Sequence, residues 1–184
     1  MRIWNGNGYD YYGWSGTAGT DVLEDPDLDK KWLNSDMEEV VDSIAASGGF
    51  WIKTTESSGT ITISGEVPSE ATTTVPLSAG FNLVANPYPG DVLVAEFGQL
   101  ASTMSGPDEE GTFTTELRTW NGNGYDYFGW SGTAGTDVLE DPDLDNKWLN
   151  SDMEKTTDKV LFGHAVWIKA GESGSITFTS PTAE

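Results

Sequence analysis

The chain contains no cysteine and a single histidine, His164. The first absence excludes disulfides, thiolate zinc sites and cysteine nucleophiles. Basic residues are also scarce: 9 Lys and Arg face 30 Asp and Glu, for a formal net charge of −21. A nucleic acid or an anionic membrane surface is repelled by such a chain. Cations, neutral polymers such as glycans, and other copies of an equally soluble protein are easier partners. No run approaches the roughly 20 apolar residues of a membrane span, so membrane insertion is not expected. No Gly-x-Ser-x-Gly elbow, phosphate-cradling loop or traceable Ser-His-Asp set is present.

What is abundant is glycine and aromatic side chains: 22 Gly, 8 Trp, 6 Tyr and 7 Phe in 184 residues. Disordered chains are poor in aromatics, so folded, core-forming modules are expected, with short strands joined by tight turns. All eight Trp fall inside an internal repeat. Trp4–Met37 and Trp120–Met153 are offset by 116 positions and differ only at Tyr12/Phe128 and Lys30/Asn146. The register holds to Trp51-Ile52-Lys53 and Trp167-Ile168-Lys169 and then slips by one residue. Gly59-Thr60-Ile61-Thr62-Ile63 thus matches Gly174-Ser175-Ile176-Thr177-Phe178. Residues from about Val67 to Glu116 occur once.

The plan is therefore A–B–A. It predicts a partial unit over 1–66 and a complete unit, B followed by A, over 67–184, as in a tandem array. Because Met1-Arg2-Ile3-Trp4 already lies within the repeat, the N-terminus is expected to be a cut or processed boundary, with any targeting segment removed.

Strand signals dominate. Leu117–Trp120 and Tyr125–Phe128 flank Asn-Gly-Asn-Gly and predict a hairpin, repeated at Arg2–Tyr12. The glycines of Gly6-x-Gly8 and Gly122-x-Gly124 belong to those turns. Val166–Lys169 and Ser175–Thr179 read as a second hairpin, with a counterpart at Phe50–Lys53 and Thr60–Ser64. Within B, Thr72–Leu77 and Phe81–Ala85 read as strands, Asn86-Pro87 as a turn open to a cis bond, and Asp91–Ser102 as a short helix weakened by Gly98. The fold class is all-β: antiparallel sandwich or barrel-like repeat modules with at most one short helix.

Pro76-Leu77-Ser78-Ala79-Gly80-Phe81-Asn82-Leu83-Val84-Ala85-Asn86-Pro87-Tyr88-Pro89, then the Trp-Asn-Gly-x-Gly-Tyr hairpin and the Val166-Trp167-Ile168-Lys169 strand, form one pattern. It resembles tandem β modules of large secreted or cell-surface bacterial proteins. The resemblance covers roughly 67–180. It implies an extracellular or cell-surface location and carries no catalytic motif.

Two constellations are candidates for chemistry. Asp25, Asp27 and Asp29 alternate, with Asp36 eleven residues after the first, and Asp141, Asp143, Asp145 and Asp152 repeat the pattern. That is the ligand spacing of a twelve-residue calcium loop, with Trp32 or Trp148 at position 8 and Asp21 and Glu24 nearby. Lys30 and Asn146 replace the usual Gly at position 6, and a solvated acidic turn is the competing reading. The second constellation is aromatic. Tyr11, Tyr12 and Trp14, repeated as Tyr127, Phe128 and Trp130, are candidates for a bivalent row that stacks on sugar rings; the competing reading is that these rings pack the sheet. His164 aligns with Gly48, so the repeat does not require it. A glycan hydrolase would need two carboxylates across a cleft, one with a raised pKa.

The leading expectation is a non-enzymatic, self-assembling structural segment of a secreted or surface polymer, fibre or adhesin, associating head-to-tail or by strand exchange. The alternatives are a carbohydrate-binding module and, third, the hydrolase.

Overall fold

The computed structural model describes residues 1–16, 25–41, 43–55, 60–133 and 141–181. The chain divides into two compact units, one of Met1–Ala45 with Phe50–Ser64, the other of Ala46–Gly49 with Gly65–Glu184. Among the described residues, fifteen strands and three short 3-10 turns make an all-β, antiparallel, sandwich-like fold with no closed barrel.

The first unit contains β1 (Arg2–Trp4), β2 (Tyr9–Tyr11), β3 (Gly13–Trp14), β4 (Trp32–Leu33) and β5 (Phe50–Trp51). Strand β1 lies between β2 and β5, and β3 pairs with β4. The Asn-Gly turn explains the first hairpin. Gly6 takes a φ of +95°, which favours glycine, and the Asn5 side-chain oxygen accepts the N–H groups of Asn7 (3.1 Å) and Gly8 (2.8 Å).

The second unit contains β6 (Thr72–Leu77), β7 (Gly80–Ala85), β8 (Val92–Leu93), β9 (Gln99–Leu100), β10 (Glu116–Trp120), β11 (Tyr125–Trp130), β12 (Trp148–Leu149), β13 (Lys159–Val160), β14 (Ala165–Ala170) and β15 (Gly174–Thr179). One sheet runs β12-β11-β10-β14-β7, a second runs β6-β15-β9, and β13 pairs with β8. The hairpin of β10 and β11 has the expected register, Leu117 opposite Phe128 and Trp120 opposite Tyr125. Pro76 is tolerated in β6 because that strand lies at a sheet edge.

Period-two alternation sorts the faces. Val166, Ile168 and Ala170 of β14, Leu117 of β10, and Phe128 and Trp130 of β11 point into the core, opposite Ile176 and Phe178 of β15. The singular segment supplies Leu77, Val84, Tyr88, Val94, Phe97, Leu100 and Met104 to that same core.

Three expectations are corrected. Strands β14 and β15 do not form a hairpin: they join different sheets, and β15 bonds to β6 and β9. Each then presents its apolar set to the other across the core, which side-by-side pairing would forbid. Asp91–Ser102 is not helical but runs β8, a 3-10 turn at Val94–Glu96, and β9. Gly98 with φ +66° and the strand-favouring Val92 explain the break. The Asn86-Pro87 bond is trans, as no peptide bond among the described residues is cis.

The outer edge of β7 is occupied by the linking residues 46–49. The Ala85 N–H donates to the Ser47 carbonyl (2.9 Å), and the Gly49 N–H donates to the Leu83 carbonyl (3.3 Å). A Cβ at Gly49 would stand 2.6 Å from Ala165 Cβ and from Leu83 Cγ, so only glycine fits there.

Candidate functional site

The feature that separates the two copies of the repeat is their cover. Trp130 and Trp148 meet edge-to-face at 5.1 Å, and their counterparts Trp14 and Trp32 keep the same geometry at 5.4 Å. Local sequence therefore builds the same ring pair twice. Its surroundings differ: Trp130 is 1% exposed and Trp14 is 54% exposed.

Segment B makes the difference. The Trp148 indole N–H donates to the Phe97 carbonyl at 2.9 Å. The Trp130 backbone N–H donates to the Thr115 carbonyl at 3.0 Å. Lys147 reaches Glu96 at 2.6 Å, whereas its counterpart Lys31 turns to Glu39 of its own loop, also at 2.6 Å. Val160 is buried by pairing with Val92, while the matching Ile44 is exposed.

The sharpest contrast is at β15. Ile176 and Phe178 are buried in a strand held on both sides by segment B, through β6 and β9. Ile61 and Ile63 occupy the same repeat positions, lie outside any strand, and are 50% and 66% exposed. The first copy thus leaves Trp14, Ile44, Ile61 and Ile63 exposed, and carries a sequence whose match is a strand where B is beside it.

Of the six aromatic candidates, Tyr11, Trp14 and Tyr127 are exposed, Tyr12 is half-buried, and Phe128 and Trp130 are in the core. Tyr127 lies on the outward face of the five-stranded sheet. There the Arg118 guanidinium stacks 4.9 Å from the ring centroids of both Tyr127 and Phe81, and Trp120 is 46% exposed nearby in sequence. Arg2 lies 5.2 Å from the Tyr11 ring in the first copy. Sequence reading missed Arg118, Phe81 and Trp120; the Arg-x-Trp spacing repeated at Arg2 and Trp4 is the signal that marks two of them.

Burial works to raise the Glu116 carboxyl pKa. The hydrogen bond and charge of Arg118 (2.6 Å), with Lys169 at 3.4 Å, outweigh it and hold the group below its ordinary value. A general acid needs the opposite shift.

The acidic loops are capped turns. The Asp25 carboxylate accepts the Asp27 N–H at 3.0 Å, and that of Asp141 accepts the Asp143 N–H at 2.9 Å, each starting a 3-10 turn at the following proline. Asp29 and Asp145 close those turns. Lys30 and Asn146 take φ values of 54° and 52°, the left-handed conformation for which a calcium loop uses Gly. Asp36 and Asp152 sit in a following turn, their N–H groups donating to Asn34 and Asn150. Among the described residues no group of three His, Asp or Glu is placed to hold a metal ion. Asp21 and Glu24 lie outside the described residues. His164 sits in an exposed turn, its N–H donating to the Leu161 carbonyl at 3.0 Å.

Among the described residues no helix is long and apolar enough to cross a membrane. No protein-family model matches the chain, and no curated protein and no solved structure is significantly similar to it.

Proposed function

We propose that this chain is a structural, non-enzymatic repeat segment of a secreted or cell-surface protein, and that its partner is its own repeat. One observation carries the reading: nearly identical sequence is closed in one unit, with Trp130 at 1% exposure, and open in the other, with Trp14 at 54%. Apolar side chains exposed at positions that the complete unit buries make an association surface. The composition supports a partner of this kind, since strong acidity keeps the chain soluble while disfavouring nucleic acid. The resemblance to secreted tandem modules supports the location.

A second copy of the repeat laid head-to-tail against that surface would remove it from water and leave further faces free to propagate. Light scattering and negative-stain microscopy over a wide concentration range test the proposal. Assemblies that grow with concentration are expected; a strictly monomeric protein throughout refutes it.

A second reading is favoured by the outward aromatic row. Tyr127, Trp120, Phe81 and Arg118, with Tyr11 and Arg2 in the other copy, form a platform suited to stacking on sugar rings. It predicts glycan-array binding that Tyr127→Ala weakens and that the double variant with Tyr11→Ala abolishes.

A further inference from the structure

We infer that the open face of the first unit is a docking site for a second copy of the segment 65–116, taken up in the register that segment has in the complete unit. The inference rests on the reading that the chain's partner is its own repeat, and it names which part of the repeat that partner supplies.

The chain holds two A segments and one B segment. Exchanging B between chains covers one A face only by uncovering another. The occupant must therefore be an additional B segment rather than the one already bound. The complete unit shows what that occupant does to this sequence. Leu100 would face Ile61 and Gln99 would face Thr62, as they face Ile176 and Thr177. Val92 would pair with Ile44, as it pairs with Val160. The Trp32 indole N–H would donate to the Phe97 carbonyl, as Trp148 does. Lys31 would leave Glu39 for Glu96, matching Lys147.

Space is available for the side chain that crosses the strand. Phe113 covers Gly129, where a Cβ would fall inside its ring, and the matching Gly13 has nothing within 4 Å of an ideal Cβ. The receptor positions are the same residues in both copies: Trp14 and Trp130, Trp32 and Trp148, Gly13 and Gly129, Lys31 and Lys147. The surface that binds B in one unit therefore recurs in the other, with Tyr12 in place of Phe128, Ile44 in place of Val160 and Ile63 in place of Phe178.

The test is a chain with a second copy of residues 65–116 joined directly before Met1, which matches Leu117 in the repeat. Amide exchange at Ile61 and Ile63 is expected to slow about 100-fold or more, as a frayed segment becomes a core strand. Tryptophan emission is expected to shift to the blue. Thr62→Cys with Gln99→Cys in the added copy should form a disulfide on mild oxidation. An added copy bearing Phe97→Asp is expected to leave exchange as fast as in the parent chain. If the added chain folds poorly, the polypeptide 65–116 titrated onto the intact protein gives the same readout.

Unchanged exchange with no cross-link overturns the inference, as does equal protection from the Phe97→Asp copy. If the parent chain still assembles while exchange is unchanged, self-association survives and this occupant falls. If exchange slows while the parent chain is monomeric at every concentration, this occupant stands and self-association of the parent falls.

Discussion

Replacing Trp130 by Ala and replacing Trp14 by Ala delete the same side chain from the same local sequence. In the complete unit the ring is 1% exposed and packs against Trp148 at 5.1 Å within a closed core. Removing a buried aromatic leaves a cavity the surroundings only partly fill, at a cost of about 3–5 kcal/mol. At Trp14 the ring is 54% exposed, and what is lost is mainly the edge-to-face contact with Trp32. Such a pair is worth about 0.5–1.5 kcal/mol beyond its area. The difference between the two substitutions should therefore be at least about 1.5 kcal/mol, which is roughly 10-fold in an opening equilibrium. Amide exchange under increasing urea reads each unit separately, with Ile168 reporting on one and Ile3 on the other. Equal losses at the two sites would refute the argument that cover by segment B, rather than local sequence, sets the stability of the repeat.

Gly129→Ala should destabilise its unit by about 1–3 kcal/mol through overpacking against Phe113, whereas Gly13→Ala should be close to neutral; urea melts of the two variants check the contrast. Asp141→Ala removes the oxygen that accepts the Asp143 N–H and should cost about 1 kcal/mol, while Asp141→Asn, which keeps an acceptor, should cost much less. Because the acidic loops are capped turns, calcium added after chelation is expected to leave the melting temperature unchanged, and an upward shift would point to a metal site there. Glu116, held below its ordinary pKa, contributes stability that is present above about pH 4.3 and is lost as pH falls through the depressed folded value. Arg118→Leu should flatten that acid limb by less than about 1 kcal/mol, since the pair is partly solvated; an unchanged pH profile of the urea midpoint would count against the assignment.

The all-β class and the hairpin of β10 and β11 were legible because their causes are local. An Asn-Gly turn fixes both the reversal and the register, and the Asn121 side chain bonds to the Asn123 and Gly124 N–H groups as Asn5 does in its own turn. The relation of β14 to β15 was not legible. A short connection between two alternating strands reads as a hairpin, and only the facing apolar layers decide that the chain crosses between sheets instead. Segment B from Asp91 to Ser102 misled because its apolar residues are spaced for a helix face, while Phe97 and Leu100 are drawn into the core by different short elements. The contrast in cover could not be read at all. Trp14 and Trp130 have nearly identical neighbours in sequence, and what buries one of them is segment B, most of whose core residues lie far from it in the chain. For the acidic loops the alternating carboxylates were visible, but so was the Asp-Pro start that makes the first of them a turn cap.

One detail of the second sheet bears on how the complete unit answers force. Strands β6 and β15 are antiparallel neighbours, with Thr72 opposite Thr179, and the Ser180 N–H donates to the Ala71 carbonyl at 2.8 Å. Apart from residues 46–49 on the edge of β7, the polypeptide therefore enters and leaves the sandwich side by side. Tension applied at those two points peels the strands apart one rung at a time instead of loading all rungs in shear. A string of such modules would behave as a compliant tether that yields at low load, with each bead hanging from its own closed loop rather than lying in line as a stiff strut.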